Sequence, residues 1–451
     1  MHILETHLGW VNMTNPIVIK EKIKPFNKTI HVNGDKSLSI RWALLASQAK
    51  GKSKAYNILR SLDVISTLNC LKKLGIKVVL KKNYCEIESS GLNSFIIKKN
   101  LILNAGNSGT LGRLIIGLLV HYNNKVKIIG DESLSKRDFS RVIIPLKKFG
   151  ASFKYKDKFK LPVEVYGSKN LKPIKYFENK GSAQCKSSVM LAALNTKGET
   201  YIKAKKSRDH TEILFKYLKI PISVKKKKSF DEIKIKGGYQ FKGFNYRIPS
   251  DISSSAFFIV LTLLAKQSKL TIKNVNINPS RIGIIIILKK MGAKISFQNK
   301  KIHNGEKVAD ITIKSTKKIK PLKCPKNLNS QAIDEFLLIF LVAAKAEGIS
   351  SFSDLSELNQ KESPRLILGS KILNKMGIKT ILTKSSIKIF GNPNIKVTNI
   401  IKIKDYLKDH RIFMMSMISA LTIGGYWKLY DPDSIRTSFP SFLKLINKLR
   451  K

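Results

Sequence analysis

Cysteine is scarce. The four present in 451 residues, Cys70, Cys85, Cys185 and Cys324, are too scattered for a disulfide framework. None forms a C-x-x-C pair or stands at ligand spacing from a histidine, so no zinc site is suggested and a reducing cytosol fits best. Long apolar runs are missing too. The longest, Phe257–Ala265 and Phe336–Ala344, fall far short of the ~20 residues that span a bilayer, so no membrane association is expected. Met1–Thr14 lacks the basic segment and apolar core of a signal peptide and carries Glu5; no targeting segment is expected, and Met13 is an alternative start. Acidic residues are few, 30 against 84 Lys plus Arg, giving a formal charge of +54.

Apolar residues, by contrast, make up 43% of the chain and run along its whole length, which excludes a disordered basic tail. At roughly 100–200 residues per domain the length implies two or three domains with substantial cores. The positive charge invites a nucleic-acid reading, but Lys outnumbers Arg about six to one, and Ile and Asn abound as in an AT-biased genome. Many lysines alternate with Ile or Val, as in Ile233–Lys236, the pattern of a solvated strand face, and RNP, zinc-finger and helix-turn-helix signatures are absent. Where Lys serves for any point charge, the few arginines should mark positions that need a planar, bidentate guanidinium.

The chain repeats two phrases. One reads as a helix end, a Gly C-cap and a strand: Leu71–Gly75, Leu146–Gly150, Leu288–Gly292 and Leu373–Gly377, with a degenerate copy lacking Gly at Phe215–Ile220. Alternating segments such as Ile76–Leu80 and Ala293–Phe297 follow, the period of half-buried strands. The other phrase is a short polar or Gly-rich segment opening onto an apolar helix. It occurs six times, at Gly34–Ser37, Gly106–Thr110, Ser182–Gln184, Ser250–Ser254, Gln331–Glu335 and Lys408–Arg411. Helices apolar around most of their circumference belong inside a domain. Six of them predict six similar α/β units, three between about 34 and 246 and three beyond 247, with Gly237–Arg247 as the crossover and the first 33 residues pairing with the second set. Each N-terminus alone is explained by capping. Several converging on one cleft would bind a multiply anionic ligand.

In order, Gly34-Asp-Lys-Ser-Leu-Ser-Ile-Arg41, Gly106-Asn-Ser-Gly-Thr-Leu-Gly-Arg113, Gly130-Asp-Glu-Ser-Leu-Ser-Lys-Arg137, Ser182-Ala-Gln-Cys-Lys-Ser187, Ser207-Arg-Asp-His-Thr-Glu212, Ile333-Asp-Glu335, Lys361-Glu-Ser-Pro-Arg365, Asp409-His-Arg411 and Thr437-Ser-Phe-Pro440 resemble the motifs of the EPSP synthase (3-phosphoshikimate 1-carboxyvinyltransferase) family. The resemblance runs from about residue 20 to the end. It implies an α/β fold, a two-domain inside-out α/β barrel with three βαββαβ units and buried helices in each domain. One domain would be 1–33 plus 247–451 with the acid/base residues, the other 34–246 with the first substrate-binding motifs, and the active site would lie in the cleft between them. It also implies enolpyruvyl transfer from phosphoenolpyruvate to the 5-hydroxyl of shikimate 3-phosphate without metal or organic cofactor. A cytoplasmic monomer with these two small molecules as substrates, and no nucleic-acid partner, is expected.

Each substrate carries a phosphate and a carboxylate, so four anionic groups must be gripped, a task suited to Arg. Carried over by the resemblance, Lys36, Ser37, Arg41, Ser182, Ala183, Gln184, Ser207, Asp334 and Lys361 would bind shikimate 3-phosphate, with Arg208 beside them. Lys36, Asn107, Gly109, Arg137, Gln184, Arg365 and Arg411 would bind phosphoenolpyruvate, with Thr110 in the same loop; Gly109 would let the backbone approach it. Asp334 matches the base for the 5-hydroxyl, Glu362 the acid that protonates the methylene carbon, and Lys36 is the third catalytic candidate. Asp334-Glu335 reads equally, by itself, as a helix N-cap pair. His410 is expected to orient Arg411 or cap its helix.

Five positions depart from the family pattern. Pro364 stands for Asp, Asn359 for Arg, Asp138 for Pro (a carboxylate beside Arg137), Ser250 for Gly and Thr437 for Lys, with Arg436 adjacent as a substitute cation. Pro364 is tolerable in a first helical turn and costly further in. The related UDP-N-acetylglucosamine enolpyruvyl transferases use a loop Cys, and Asp131–Arg141 has none. The remaining alternative is a catalytically impaired relative kept for its basic surface. That alternative predicts DNA or RNA binding whose log K falls linearly with log salt; the enzyme reading predicts no such binding at physiological salt in a filter or anisotropy assay.

Overall fold

The computed structural model describes residues 15–451; the readings of Met1–Thr14 and Met13 fall outside them. Each repeat contributes an inner helix and an outer helix. The first unit holds α1 (Lys36–Ala46) and α2 (Leu62–Lys73); the second α3 (Gly109–Leu119), the single turn α4 (Glu132–Ser135) and α5 (Ser140–Phe149); the third α6 (Ala183–Asn195) and α7 (His210–Tyr217). The fourth holds α8 (Ile252–Leu264) and α9 (Gly283–Lys290); the fifth the turn α10 (Asn329–Ala332), α11 (Phe336–Ala344) and α12 (Arg365–Lys375); the sixth α13 (His410–Ile423) and α14 (Phe442–Arg450). All six polar phrases therefore open an inner helix, α1, α3, α6, α8, α11 and α13. The described residues form six small sheets of three or four strands.

The glycine phrase is a C-cap as read. Gly75, Gly150, Gly292 and Gly377 follow outer helices with φ of +82°, +113°, +97° and +82°, a conformation that a Cβ penalises. In the degenerate copy Lys219 takes that position at φ +57°. The strands that follow alternate as expected: in Phe230–Gly237, Ile233 and Ile235 are buried while Lys234 and Lys236 face solvent.

Burial is extreme on the inner helices, and its exceptions are informative. In α3 every residue except Arg113 is buried, and in α13 every residue except Arg411. In α1 the exceptions are Lys36 and Ser37, in α6 Ala183 and Gln184, in α8 Leu264, and in α11 there are none. Apart from Leu264 at a C-terminus and Arg113 one turn into α3, only polar-phrase residues at the N-termini escape the core. The apolar side chains form two clusters, one from Leu38 to Ile248 and the other from Ile19–Val32 with Ile252–Leu449. Strand Ile17–Ile19 pairs with Trp427–Leu429, and Asn27–His31 with Lys269–Asn276. Asn245–Arg247 pairs instead with Lys50–Tyr56.

Two chain segments cross between the clusters, and they cross together. Gly34 and Ser250 form an antiparallel bridge, with Asp35 N–H donating to Pro249 O at 2.9 Å and Asp251 N–H to Asn33 O at 3.1 Å. Ser250, in place of glycine, donates its hydroxyl to Val32 O at 2.8 Å. Asp35 and Asp251 then cap α1 and α8, and buried Arg281 binds both, through Nη1 at 3.0 Å and Nη2 at 3.3 Å. Burial pushes both carboxyls up, but the Arg281 guanidinium overrides it at Asp35, held at about 2, while the Asp35 charge adds to burial at Asp251, raised to about 6. Nη1 also donates to His210 Nε2 at 3.1 Å. A guanidinium only donates, so His210 carries its proton on Nδ1, 2.6 Å from Glu306 Oε1. Replacing Arg281 by Met strands two buried carboxylates, so a loss of about 3–5 kcal/mol in denaturant unfolding is expected; a loss below about 1 kcal/mol would show that the crossovers do not need the clamp.

Candidate active site

The exposed ends of the inner helices meet the fifth and sixth units across one cleft. Lys36, at the start of α1, donates to Asp63 Oδ2 at 2.9 Å. One turn on, Arg41 lies 5% exposed and is held by neutral partners: Nε donates to Thr211 Oγ1 at 2.9 Å, Nη2 to Ser187 Oγ at 3.1 Å and Nη1 to Ser37 O at 3.2 Å. Burial lowers its pKa to about 10, opposed by Asp35 and Glu212. With no carboxylate bonded to it, Arg41 keeps its charge for another anion.

On α3, Ser108 caps the helix and Gly109 begins it. A Cβ at Gly109 would fall 2.8 Å from Arg113 Nη1 and 3.1 Å from Arg137 Nη1, so only glycine leaves both guanidiniums undisturbed. Arg113 donates to Gln184 Oε1 at 2.8 Å, and Gln184 Nε2 to Thr110 Oγ1 at 3.0 Å, which fixes the amide orientation. Arg137 Nη2 donates to Asn107 Oδ1 at 3.1 Å and Nη1 reaches Glu362 Oε1 at 3.4 Å. Ser182 caps α6, with Ala183 and Gln184 in its first turn. Three buried polar atoms near these groups have no hydrogen-bond partner: Ser207 Oγ, Arg208 Nε and Arg137 Nε. Buried donors are ordinarily satisfied, so these three fit an anionic, oxygen-rich ligand.

The opposite wall holds the carboxylates. Asp334 meets Arg208 Nη2 at 2.5 Å, Lys361 Nζ at 3.3 Å and Arg365 Nη1 at 3.5 Å, and its carbonyl accepts from Arg411 Nη1 at 2.7 Å. Burial raises its carboxyl, but Lys361, Arg208, Arg411 and Arg365 together hold it well below the usual carboxylate range. Glu362 is bonded to Arg365 and Arg137, and these outweigh burial in the same way. Arg365, 2% exposed, is anchored by Asp409, whose Oδ2 lies 2.8 Å from Nε and also accepts from Ser363 Oγ at 2.8 Å. Outside this group Arg141 forms a two-pronged pair with Glu357 across the cleft, at 3.2 and 3.0 Å.

Of the sequence-derived candidates, Asn107, Arg137, Glu362, Arg365, Asp334, Lys361 and Arg411 are joined by hydrogen bonds and ion pairs, and Lys36 acts on Glu362 through its charge. Two secondary expectations are corrected. Asp138 does not place its carboxylate on Arg137: it accepts from Ser140 N–H and Oγ at 2.7 and 2.6 Å, starting α5, because the nearer backbone donor wins. His410 does not cap α13; Asp409 does, accepting from Arg411 N–H at 2.9 Å, while burial drives His410 down to about 3 and Thr437 Oγ1 lies 3.3 Å from its Nδ1. Arg436, the substitute cation expected beside Thr437, pairs with Asp433, its Nε 3.3 Å from the carboxylate. Glu335, not Asp334, is at the N-cap position of α11, where it accepts from Ser253 Oγ rather than from the helix. Asp63 and the anchoring role of Asp409 were missed; nothing near Leu62-Asp63 signals a partner 27 residues earlier.

The departures at 359 and 364 are reconciled together. Pro364 occupies the N-cap of α12, where its missing N–H costs no helical bond and its carbonyl accepts from Leu368 N–H at 2.9 Å. A proline has no capping side chain, and Asn359 Oδ1 supplies the acceptor instead, taking Leu366 N–H at 3.2 Å.

A profile of EPSP synthase (3-phosphoshikimate 1-carboxyvinyltransferase) sequences matches residues 20–446. The chain belongs to the EPSP synthase family. The 3-phosphoshikimate 1-carboxyvinyltransferase of Vesicomyosocius okutanii subsp. Calyptogena okutanii is 40% identical over 432 residues, covering 95% of this chain and 97% of that one. That of Thermoanaerobacter sp. is 38% identical over 433 residues, 96% and 100% of the two chains. The EPSP synthase structure from Acinetobacter baumannii superposes with a TM-score of 0.84 at 33% identity over 97% and 98%. The enolpyruvyl transferase NikO of Streptomyces tendae, at 13% identity and TM-score 0.76, shares the fold. As an EPSP synthase the chain transfers the enolpyruvyl group of phosphoenolpyruvate to shikimate 3-phosphate, a step of the shikimate pathway to aromatic amino acids. Its fold is the two-domain α/β architecture of enolpyruvyl transferases. Among the described residues no helix is long and apolar enough to cross a membrane.

The substituted cap gives a check: Asn359→Ala should lower the unfolding free energy by about 1 kcal/mol, read in denaturant melts, whereas a neutral result would leave Leu366 N–H satisfied by water.

Proposed function

We propose that the cleft residues divide the reaction as follows. Lys36, Ser37, Arg41, Ser182, Ala183, Gln184, Ser207, Asp334 and Lys361 hold shikimate 3-phosphate; Lys36, Asn107, Gly109, Arg137, Gln184, Arg365 and Arg411 hold phosphoenolpyruvate. The observation that carries this is the set of buried, partnerless donors at Ser207, Arg208 and Arg137 beside the uncommitted guanidinium of Arg41. The domains are residues 1–33 with 247–451, and 34–246. The two separate cores support that division, although Ile248 still packs with the first.

Asp334, Glu362 and Lys36 carry the proton chemistry. Without substrate, Arg137 and Arg365 spend their charge on Glu362 and keep it ionised. Phosphoenolpyruvate competes for the same guanidiniums. Once they turn to its phosphate and carboxylate, Glu362 stays buried with less positive charge around it, and its pKa climbs into the range of a proton donor. Glu362 then protonates the methylene carbon while Asp334 takes the proton of the 5-hydroxyl and the oxygen bonds to C2. In the second step the C2–O bond to phosphate breaks, the departing phosphate oxygen takes the proton held by Asp334, the methyl returns its proton to Glu362, and the double bond reforms. Lys36 and the arginines stabilise the phosphate as it departs.

Arg137–Glu362, Arg208–Asp334 and Arg141–Glu357 each join residues of the two cores, so substrate binding trades the first two for ligand contacts and draws the domains together. A monomer with no nucleic-acid partner completes the reading; the four buried, unpaired cysteines fit a cytoplasmic location.

Phosphate release by purified protein tests the assignment. Release should require both substrates, and Asp334→Asn and Glu362→Gln should each lower kcat by about 10²–10⁴-fold. Glu362→Gln should leave the KM for phosphoenolpyruvate unchanged or lower, because it frees Arg137 and Arg365. Full activity in either variant would remove that residue from the proton path.

A further inference from the structure

The turn that brings Ser182 and Ala183 to the cleft is organised by a buried acid. Strand Lys175–Glu178 ends on Glu178, which is 2% exposed, and the chain turns through Asn179, Lys180 and Gly181 to the N-cap of α6. The Glu178 carboxylate folds back onto this turn. Oε1 accepts from Lys180 N–H at 3.0 Å and Oε2 from Gly181 N–H at 2.8 Å, and the Ser182 N–H also faces the carboxylate. Gly181, at φ +71°, is in the left-handed conformation that lets successive N–H groups converge on one anion.

No lysine or arginine among the described residues forms an ion pair with Glu178. The cation that acts on it is Lys186 of α6, already committed to Glu212 of α7 at 2.5 Å. The other titratable groups facing it are Tyr176 on its own strand and Cys185 on α6; across on the strand Gly198–Lys205 the paired residue is Ala204. A buried carboxylate whose bonds go to one turn trades its desolvation for order in that turn.

We propose that Glu178 is a positioning residue for the shikimate 3-phosphate subsite: its carboxylate fixes residues 179–182, and so the Ser182 hydroxyl and Ala183 backbone that meet the substrate. This rests on the assignment of Ser182 and Ala183 to that subsite. Burial pushes the Glu178 carboxyl up against the pull of its backbone bonds, so it protonates at higher pH than in the unfolded chain. Protonation converts an acceptor oxygen into a donor and releases one N–H of the turn. Through this group, acidification favours the folded state, since the fold takes up the proton more readily, yet weakens substrate binding. A role in stability alone would not separate the two.

Calorimetric titration of shikimate 3-phosphate, without phosphoenolpyruvate, into the full-length wild type, Ser182→Ala, Glu178→Leu and Glu178→Gln tests this. Glu178→Leu should weaken binding about 5–20-fold, the worth of one or two hydrogen bonds, and Glu178→Gln, retaining one acceptor oxygen, by less. KM for shikimate 3-phosphate should follow, with kcat within about threefold of wild type. Wild-type affinity in Glu178→Leu alongside weakened binding in Ser182→Ala would overturn the inference alone; unchanged affinity in Ser182→Ala would overturn the subsite beneath it. If circular dichroism shows Glu178→Leu unfolded, Glu178→Gln decides, and wild-type affinity there alongside weakened binding in Ser182→Ala overturns the inference.

Discussion

Concentrated positive charge is the constraint from which the rest of the molecule follows. Lys36, Arg41, Arg113, Arg137, Arg208, Lys361, Arg365 and Arg411 converge on one cleft, several of them largely withdrawn from water. Guanidiniums held this close repel one another and need anions. Without substrate the anions are the protein's own: Asp63, Asp334, Glu362 and Asp409. Two of these, Asp334 and Glu362, are also the proposed catalytic groups. The same ion pairs therefore hold the cleft together and set the protonation states on which the reaction starts.

The inner helices make such a cleft possible. A helix apolar on all sides can be driven through the centre of a domain, and its only polar surface is then its N-terminal end. Six such ends, presented by six copies of one unit, place side chains from distant parts of the chain within a few ångströms. Where a position allows no side chain at all, as at Gly109 between two guanidiniums, the constraint is steric rather than electrostatic.

That organisation explains what was legible in the sequence. The starts of α1, α3, α6, α8, α11 and α13 stood out because polar residues beside an otherwise buried helix are conspicuous, and the glycines after α2, α5, α9 and α12 because a left-handed turn tolerates little else. Arginine scarcity singled out Arg41, Arg137, Arg365 and Arg411, each of which the fold largely withdraws from water. Supporting acids were less visible. Asp63, Glu178 and Asp409 act on groups brought close only by folding or by a turn whose geometry a sequence does not display. Local competition misled the readings of Asp138 and His410: one carboxylate found a backbone N–H two residues on, and the cap fell to Asp409 immediately before the histidine.

The pairing of Ile17–Ile19 with Trp427–Leu429 also dictates an order of assembly. On a ribosome adding about 5–20 residues per second, roughly 20–80 s separate the synthesis of these two strands. The core from Leu38 to Ile248 can close in the meantime, because its strands and helices are contiguous in the chain. The N-terminal strand cannot. It must wait, unpaired and tethered to an already folded neighbour, until Trp427–Leu429 has emerged, so the second core is completed only after the first has had time to close.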